Sequence, residues 1–145
     1  MRSRARIACA ITLIALFGAL AGGRLAQLQQ VRADSNRVFE LRVYHALPGK
    51  LPALESRFRD TTSKILARHN LNVVGYWVTA DAAAPDQTFI FMVAHRDREE
   101  AKKNWGAVWA DPEFQTAVVG SEKAEPTVSK VDTTYLDPTD FSPLK

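Results

Sequence analysis

Cysteine is almost absent from this chain of 145 residues, since the single one, Cys9, lies near the N-terminus. The part of the chain from Asp34 onward therefore has no disulfide, no thiolate metal site and no thiol nucleophile. Acidic residues are missing from positions 1–33, which hold five arginines, whereas positions 34–145 hold 14 basic and 16 acidic residues. The formal charge of +3 thus comes from the N-terminal segment, and no basic patch predicts nucleic-acid binding.

Signatures of phosphate binding and of nucleophilic catalysis are missing as well. The seven glycines are scattered and form no phosphate-binding loop. Ser121 follows Gly120 but lacks the second glycine of a serine nucleophile elbow. His45 and His95 each end a predicted strand. They could share a metal ion there, but the sequence favours no metal site. The sequence therefore predicts no cofactor, no metal and no assignable catalytic residue.

One long apolar run is present, from Ile7 to Gly23, behind a short basic start. This layout is typical of a secretory signal peptide, and the run is also just long enough for a single membrane anchor. We expect residues 1–23 to be a signal peptide or anchor and residues 24–36 a linker. The protein is then exported, periplasmic or secreted, and contacts a membrane through this segment only. A mitochondrial transit peptide is the alternative, because the segment is rich in arginine and free of acid.

The folded part begins with a strand predicted over Arg37 to Ala46, whose side chains alternate in polarity. The apolar face of this strand consists of Phe39, Leu41 and Val43. The polar face consists of Glu40, Arg42 and Tyr44. We expect helices to cover the apolar face, which leaves the polar face to be explained.

Hydrophobic periodicity and capping residues predict the remaining elements. They are a helix over Lys50–His69, strands over Asn72–Thr79 and Thr88–His95, a helix from Asp97, a short helix over Pro112–Ser121 and a strand over Thr127–Leu136. Asp97 and Glu100 have the spacing of a capping box, and Asp111 before Pro112 is typical of a new helix start. The order β-α-β-β-α-β predicts the α+β ferredoxin-like plait, with both helices on one face of an antiparallel sheet.

Two helices cover only one face of such a sheet, yet the strand Thr88–His95 is apolar on both faces and should be central. An exposed sheet face of this kind is typical of a contact with a partner. We expect a homodimer, with two sheets packed face to face around a twofold axis and a lumen between them.

Five stretches resemble the NIPSNAP family and together span the body, residues 37–145. They are Phe39–Tyr44, Pro48–Lys50, Val73–Trp77, Ala110–Phe114 and Leu136–Pro143. The resemblance implies a ferredoxin-like domain that forms a dimeric α/β barrel, and it carries over no catalytic residues.

Five side chains are candidates to line the lumen of this dimer and to hold a small-molecule ligand. They are Glu40, Arg42, Tyr44, Tyr76 and His95. Arg42 could hold an anion there, whereas the alternative is that Glu40 and Arg42 pair with each other or across the dimer and fix the register. The sequence favours a homodimeric binding or interaction module. The alternative is a cofactor-independent enzyme, similar to antibiotic-biosynthesis monooxygenases, that acts on a small apolar or aromatic substrate.

Overall fold

A computed structural model describes residues 37–80 and 87–145. The predicted signal or anchor at residues 1–23, Cys9 and the predicted linker at residues 24–36 lie outside the described residues. Among the residues that are described, the helices are too short or too polar for any of them to span a membrane.

Four strands and three helices make up the described part of the chain. The strands are β1 Val38–Ala46, β2 Asn72–Val78, β3 Thr88–His95 and β4 Val128–Leu136. Helix α1 lies between β1 and β2 and consists of Leu51–Arg57, a π-helical stretch Phe58–Thr62 and Ser63–Arg68. Helices α2, Arg98–Ala110, and α3, a π-helical stretch Phe114–Gly120 followed by Ser121–Ala124, lie between β3 and β4. The predicted order β-α-β-β-α-β is confirmed, with α3 as the additional short helix.

Local capping interactions set the ends of the helices. The Asp97 carboxylate accepts the backbone N–H of Glu100 at 2.7 Å, which confirms Asp97 as the N-cap of α2. Asp111 accepts the backbone N–H groups of Glu113 and Phe114 at 2.8 and 3.2 Å and so starts the next helix. Asn70 adopts a left-handed conformation, with φ of 58°, and ends α1.

The strands form one antiparallel sheet in the order β2-β3-β1-β4, so β1 and β3 are central. Phe58 of α1 packs on Phe89 and Phe91 of β3, with ring centres 4.4 and 5.4 Å apart. Trp105 of α2 bonds Glu40 of β1, which lies on the same side. This side is the helix-covered face, and the other side is the open face. The fold is α+β with a ferredoxin-like arrangement, as predicted.

The two faces of β1 are the reverse of the prediction. Arg42 and Tyr44 follow Glu40 on the helix-covered face, where Tyr44 packs edge-on against Phe58 at 5.4 Å. The predicted apolar face of β1, formed by Phe39, Leu41 and Val43, belongs to the open face instead. The polar side chains can lie under the helices because the helices pack aromatic rings against them. The helices also supply hydrogen-bond partners in place of water.

The open face is apolar at the centre of the sheet, whereas its β4 side also carries Lys130, Asp132 and Thr134. Its side chains include Leu41 and Val43 of β1, Ile90, Met92 and Ala94 of β3, Trp77 of β2 and Leu136 of β4. In the single chain, Trp77 is 48% exposed, whereas Phe91 and Val93 on the helix-covered face are fully buried. β3 is central as predicted, but only its helix-covered side is buried within one chain.

Strand β2 contains a bulge and a close contact at Gly75. Its register with β3 shifts between Val73 and Gly75. A Cβ atom on Gly75 would lie only 2.6 Å from the ring of Trp77, so the indole occupies the space that a side chain at position 75 would need. The absence of a side chain at Gly75 therefore allows the Trp77 ring to lie against the sheet.

Candidate functional site

A cavity of about 510 Å³ lies on the helix-covered face, between the sheet and the helices. Its walls are mainly apolar, and six aromatic side chains contribute to them: Tyr44, Phe58, Phe91, Trp105, Trp109 and Phe114. Both π-helical stretches supply lining residues, namely Phe58 and Thr62 from the first and Phe114, Val118 and Val119 from the second. Such stretches interrupt regular helix packing and are frequent at functional sites. The volume is typical of cavities that bind small molecules.

Arg42 enters this cavity from β1 and is held from behind by Glu40. Its Nε donates to Glu40 Oε1 at 2.6 Å, and its guanidinium carbon lies 3.7 Å from the ring centre of Trp105. The side chain of Arg42 keeps 16% of its surface accessible, whereas that of Glu40 is fully buried. The ion pair and the aromatic stack therefore fix the plane of the guanidinium at the cavity wall.

Glu40 is the centre of a buried hydrogen-bond network. Besides Arg42, its carboxylate binds His95 Nε2 at 2.9 Å and accepts the indole N–H of Trp105 at 2.6 Å. Burial by itself would raise the pKa of Glu40, but the hydrogen bonds from His95, Trp105 and Arg42, together with the charge of Arg42, outweigh burial and lower it. The Nδ1 of His95 has no hydrogen-bond partner among the described residues. Glu40 is thus held ionised beside Arg42.

A second arginine–glutamate pair borders the cavity. Arg57 of α1 donates to Glu122 of α3, and the side chain of Arg57 is 12% exposed. The Glu122 carboxylate also accepts the backbone N–H groups of Thr127 and Val128 at 2.7 and 2.8 Å and the Thr127 hydroxyl at 2.8 Å. Burial would raise the pKa of Glu122, but the bonds from Arg57 and Thr127 lower it overall. Glu122 therefore joins α3 to both α1 and the start of β4.

Tyr44 lies between the two arginines. Burial raises the pKa of its hydroxyl. The charge of Arg42, a hydrogen bond with Arg42 and the charge of Arg57 act in the opposite direction but do not outweigh burial. Its ring packs against Phe58 and Phe91 with centres 5.4 and 5.7 Å apart. Tyr44 therefore presents a protonated hydroxyl to a cavity wall that carries two cations.

Four of the five predicted lumen residues come together, but beneath the helices of one chain. Glu40, Arg42, Tyr44 and His95 share the helix-covered face, and Glu40 and His95 lie behind the cavity wall. Glu40 and Arg42 pair with each other within one chain, at 2.6 Å. Tyr76 lies on the same face, with its ring centre 5.8 Å from that of Phe91, but it is 39% exposed and lines a separate cavity of about 430 Å³ with Trp77.

The predicted metal alternative fails on position. His45 lies on the open face and bonds Asp132 at 2.8 Å, whereas His95 lies on the opposite face of the sheet. The two imidazoles therefore cannot share an ion. Across residues 37–80 and 87–145, no cluster of three or more His, Cys, Asp or Glu side chains is arranged to hold a metal.

Sequence reasoning missed Arg57 and Glu122. They are 65 residues apart, and a contact between distant helices leaves no local signal in the sequence. Trp105 of α2 belongs both to the core, where it is 8% exposed, and to the cavity wall.

Solved structures of similar fold agree with this description. An Agrobacterium tumefaciens NIPSNAP family protein of unknown function is 21% identical, with a TM-score of 0.67 over 77% of this chain and 96% of its own. A second from the same species is 25% identical, with a TM-score of 0.66 over 76% and 100%. A putative antibiotic biosynthesis monooxygenase of Caulobacter crescentus is 16% identical, with a TM-score of 0.50 over 74% and 93%.

No functionally curated protein matches this sequence significantly. The sequence pattern of the NIPSNAP family, by contrast, matches residues 39–143. The match begins at the second residue of β1, ends in the C-terminal tail and covers the rest of the helices and strands that the structure describes. The resemblance seen in the sequence is confirmed, and the chain belongs to the NIPSNAP family.

Proposed function

We propose that this NIPSNAP domain is a homodimeric module that binds a small molecule in the cavity beneath its helices. The observation that carries the proposal is the 510 Å³ cavity itself, with aromatic walls and two arginines that are each oriented by a glutamate. A mainly apolar cavity with a few well-placed polar groups is the usual form of a small-molecule site.

The pKa shifts around the cavity favour binding over acid–base catalysis. General acids and bases work best when their pKa lies near the working pH. Burial raises the pKa of Tyr44 from 10.0, and the bonds to Arg57 and Thr127 lower that of Glu122 from 4.5 against the effect of burial. Both groups therefore move away from neutrality. The cofactor-independent enzyme remains the alternative, and turnover abolished by Tyr44→Phe in a folded protein would favour it.

Ligand binding is tested by native mass spectrometry of the full-length protein purified from its own host. We expect a small molecule to remain bound to the wild type. Val118 lines the cavity from α3, and Val118→Trp should displace that molecule by filling the space. Val74→Trp is the matched control, because Val74 is exposed on β2 away from this cavity. A mass without added ligand in the wild type, or a ligand retained in Val118→Trp, would contradict the proposal.

The second copy in the proposed dimer would cover the open face. This face is apolar on the central strands β1 and β3 and at Trp77 of β2, and a large exposed apolar surface is typical of a protein contact. Its polar corner holds both signs of charge, since Asp132 bonds His45 at 2.8 Å and Lys130 at 2.7 Å. A twofold axis therefore brings an apolar surface against its own copy without an excess of one charge.

Sedimentation of the full-length protein tests the dimer. Met92 lies at the centre of the open face, and Met92→Asp should convert a dimer into a monomer with an unchanged circular dichroism spectrum. Lys102 is exposed on α2, so Lys102→Asp should remain dimeric. A wild-type monomer at micromolar concentration would exclude the dimer but would leave ligand binding to be judged by the mass spectra.

We also propose that the protein acts outside the cytoplasm. The support is the apolar run behind a basic start at residues 1–23. Fractionation of a tagged full-length protein should place it in the membrane or exported fractions. A purely cytosolic protein would contradict this.

A further inference from the structure

We propose that the ligand of the helix-side cavity is a flat aromatic monocarboxylate, whose carboxylate lies between Arg42 and Arg57 against the Tyr44 hydroxyl. This inference rests on the proposed binding function and specifies the chemical class of the ligand. Three features of the cavity carry it: the fixed donors, the balance of charge and the shape of the walls.

The donors are fixed before any ligand enters. Glu40 takes the Nε–H of Arg42, and the face of the guanidinium lies on Trp105 at 3.7 Å. The terminal nitrogens of Arg42 are thus the part of the group left next to the cavity, as a planar fork that suits the two oxygens of a carboxylate. Tyr44 adds a hydroxyl that burial keeps protonated by raising its pKa. These donors need little rearrangement to receive an acceptor.

The charges around Arg42 and Arg57 suit a ligand with one negative charge and not a ligand with two. Glu40 balances Arg42, and Glu122 balances Arg57, so the two ion pairs together are neutral. Lys123, which is exposed to solvent, also lines the cavity, and it makes no hydrogen bond or ion pair with the described residues. The surroundings therefore carry one uncompensated positive charge. A monoanion matches it, whereas a phosphate dianion would leave a charge partly buried without compensation.

The walls suit a flat apolar body. Phe58 of α1 and Phe91 of β3 have ring centres 5.4 Å apart, and Trp109 of α2 meets Phe114 of α3 edge-on at 5.1 Å. Aromatic side chains bind another ring best by offset stacking and edge-on contacts. A flat ring system between these walls can make both kinds of contact while its carboxylate reaches Arg42.

The test compares two probes of equal shape by calorimetric titration of the full-length protein at neutral pH. The probes are naphthoic acid, which is an anion at that pH, and the corresponding naphthamide, which is neutral. We expect the acid to bind at least about tenfold more tightly, as charge-assisted hydrogen bonds exceed neutral ones. Tyr44→Phe and Arg57→Lys should each reduce this preference by about threefold or more. Arg59→Lys is the matched control on the same helix, because Arg59 is 69% exposed and does not line this cavity.

Equal affinity for the two probes, or tighter binding of the amide, would overturn this inference, as would binding of neither. A preference unchanged by Tyr44→Phe, in a variant with wild-type circular dichroism, would also overturn it. None of these results decides the proposed binding function, since the Val118→Trp mass spectra test occupancy of the cavity by any molecule.

Discussion

The two faces of the sheet do not follow the simple rule that polar side chains are exposed and apolar side chains are buried. On the helix-covered face, Glu40 is fully buried and Arg42 nearly so. On the open face, apolar side chains such as Trp77 remain about half exposed. Buried charges are tolerated where each has hydrogen-bond partners, and exposed apolar surface is tolerated where a partner covers it. The contrast shows that alternation along a strand identifies two faces but does not say which is covered.

Two adjacent residues of β3 test most directly whether only the helix-covered face is a core within one chain. Phe91 is fully buried against α1, and Met92 is half-buried on the open face. Phe91→Ala should lower the free energy of unfolding by about 4 kcal/mol, since it leaves a cavity in the core. Met92→Ala should cost about 1 kcal/mol in the isolated chain. Urea denaturation at low protein concentration measures both, and equal costs would mean that the open face is already a core within one chain.

The buried network gives the next largest effect. Glu40→Gln removes the charge that balances Arg42 and should lower the free energy of unfolding by about 3 kcal/mol. Glu99 is exposed in the first turn of α2, so Glu99→Gln is the matched control and should cost about 1 kcal/mol at most. The same denaturation measurement applies. A Glu40→Gln protein as stable as the control would show that the network adds nothing to folding.

The loss of stability at low pH should depend more on the helix-covered face than on the open face. The pKa of Glu40 is lowered in the folded state, so ionised Glu40 stabilises the fold above its ordinary pKa of 4.5, and this contribution is lost as the pH falls through the lowered value. Glu40→Gln should therefore flatten the loss of stability below pH 4.5. The pKa of Asp132 on the open face is lowered by Lys130 and His45, but the pair is well exposed to water. Asp132→Asn should change the acid profile less, as followed by thermal unfolding at a series of pH values.

Features encoded by neighbouring residues were predictable from the sequence. The cap at Asp97 and the left-handed Asn70 each depend on a few adjacent residues, and the structure has both. The strand order follows from the number and type of elements. These features need no knowledge of what packs against what.

Features that depend on distant contacts were not predictable. Glu40 lies under α2 because Trp105, 65 residues later, supplies an indole N–H at 2.6 Å. The sequence placed His95 in a lumen between two sheets, but the structure places it behind the cavity wall, bonded to Glu40. In both cases the hydrogen-bond partner determines which face of the sheet the side chain occupies. The position of that partner is set only when the helix has packed on the sheet.

The contact between Gly75 and Trp77 has an evolutionary consequence. Because the indole fills the place of a side chain at position 75, a side chain can be added at position 75 only if the ring at position 77 moves or is replaced. A larger residue at 75 should be accepted only with a smaller one at 77, so the two positions are expected to covary among descendants of a common ancestor. A lineage with glycine at 75 can keep a broad aromatic ring on the open face, and one that loses this glycine must remodel that surface.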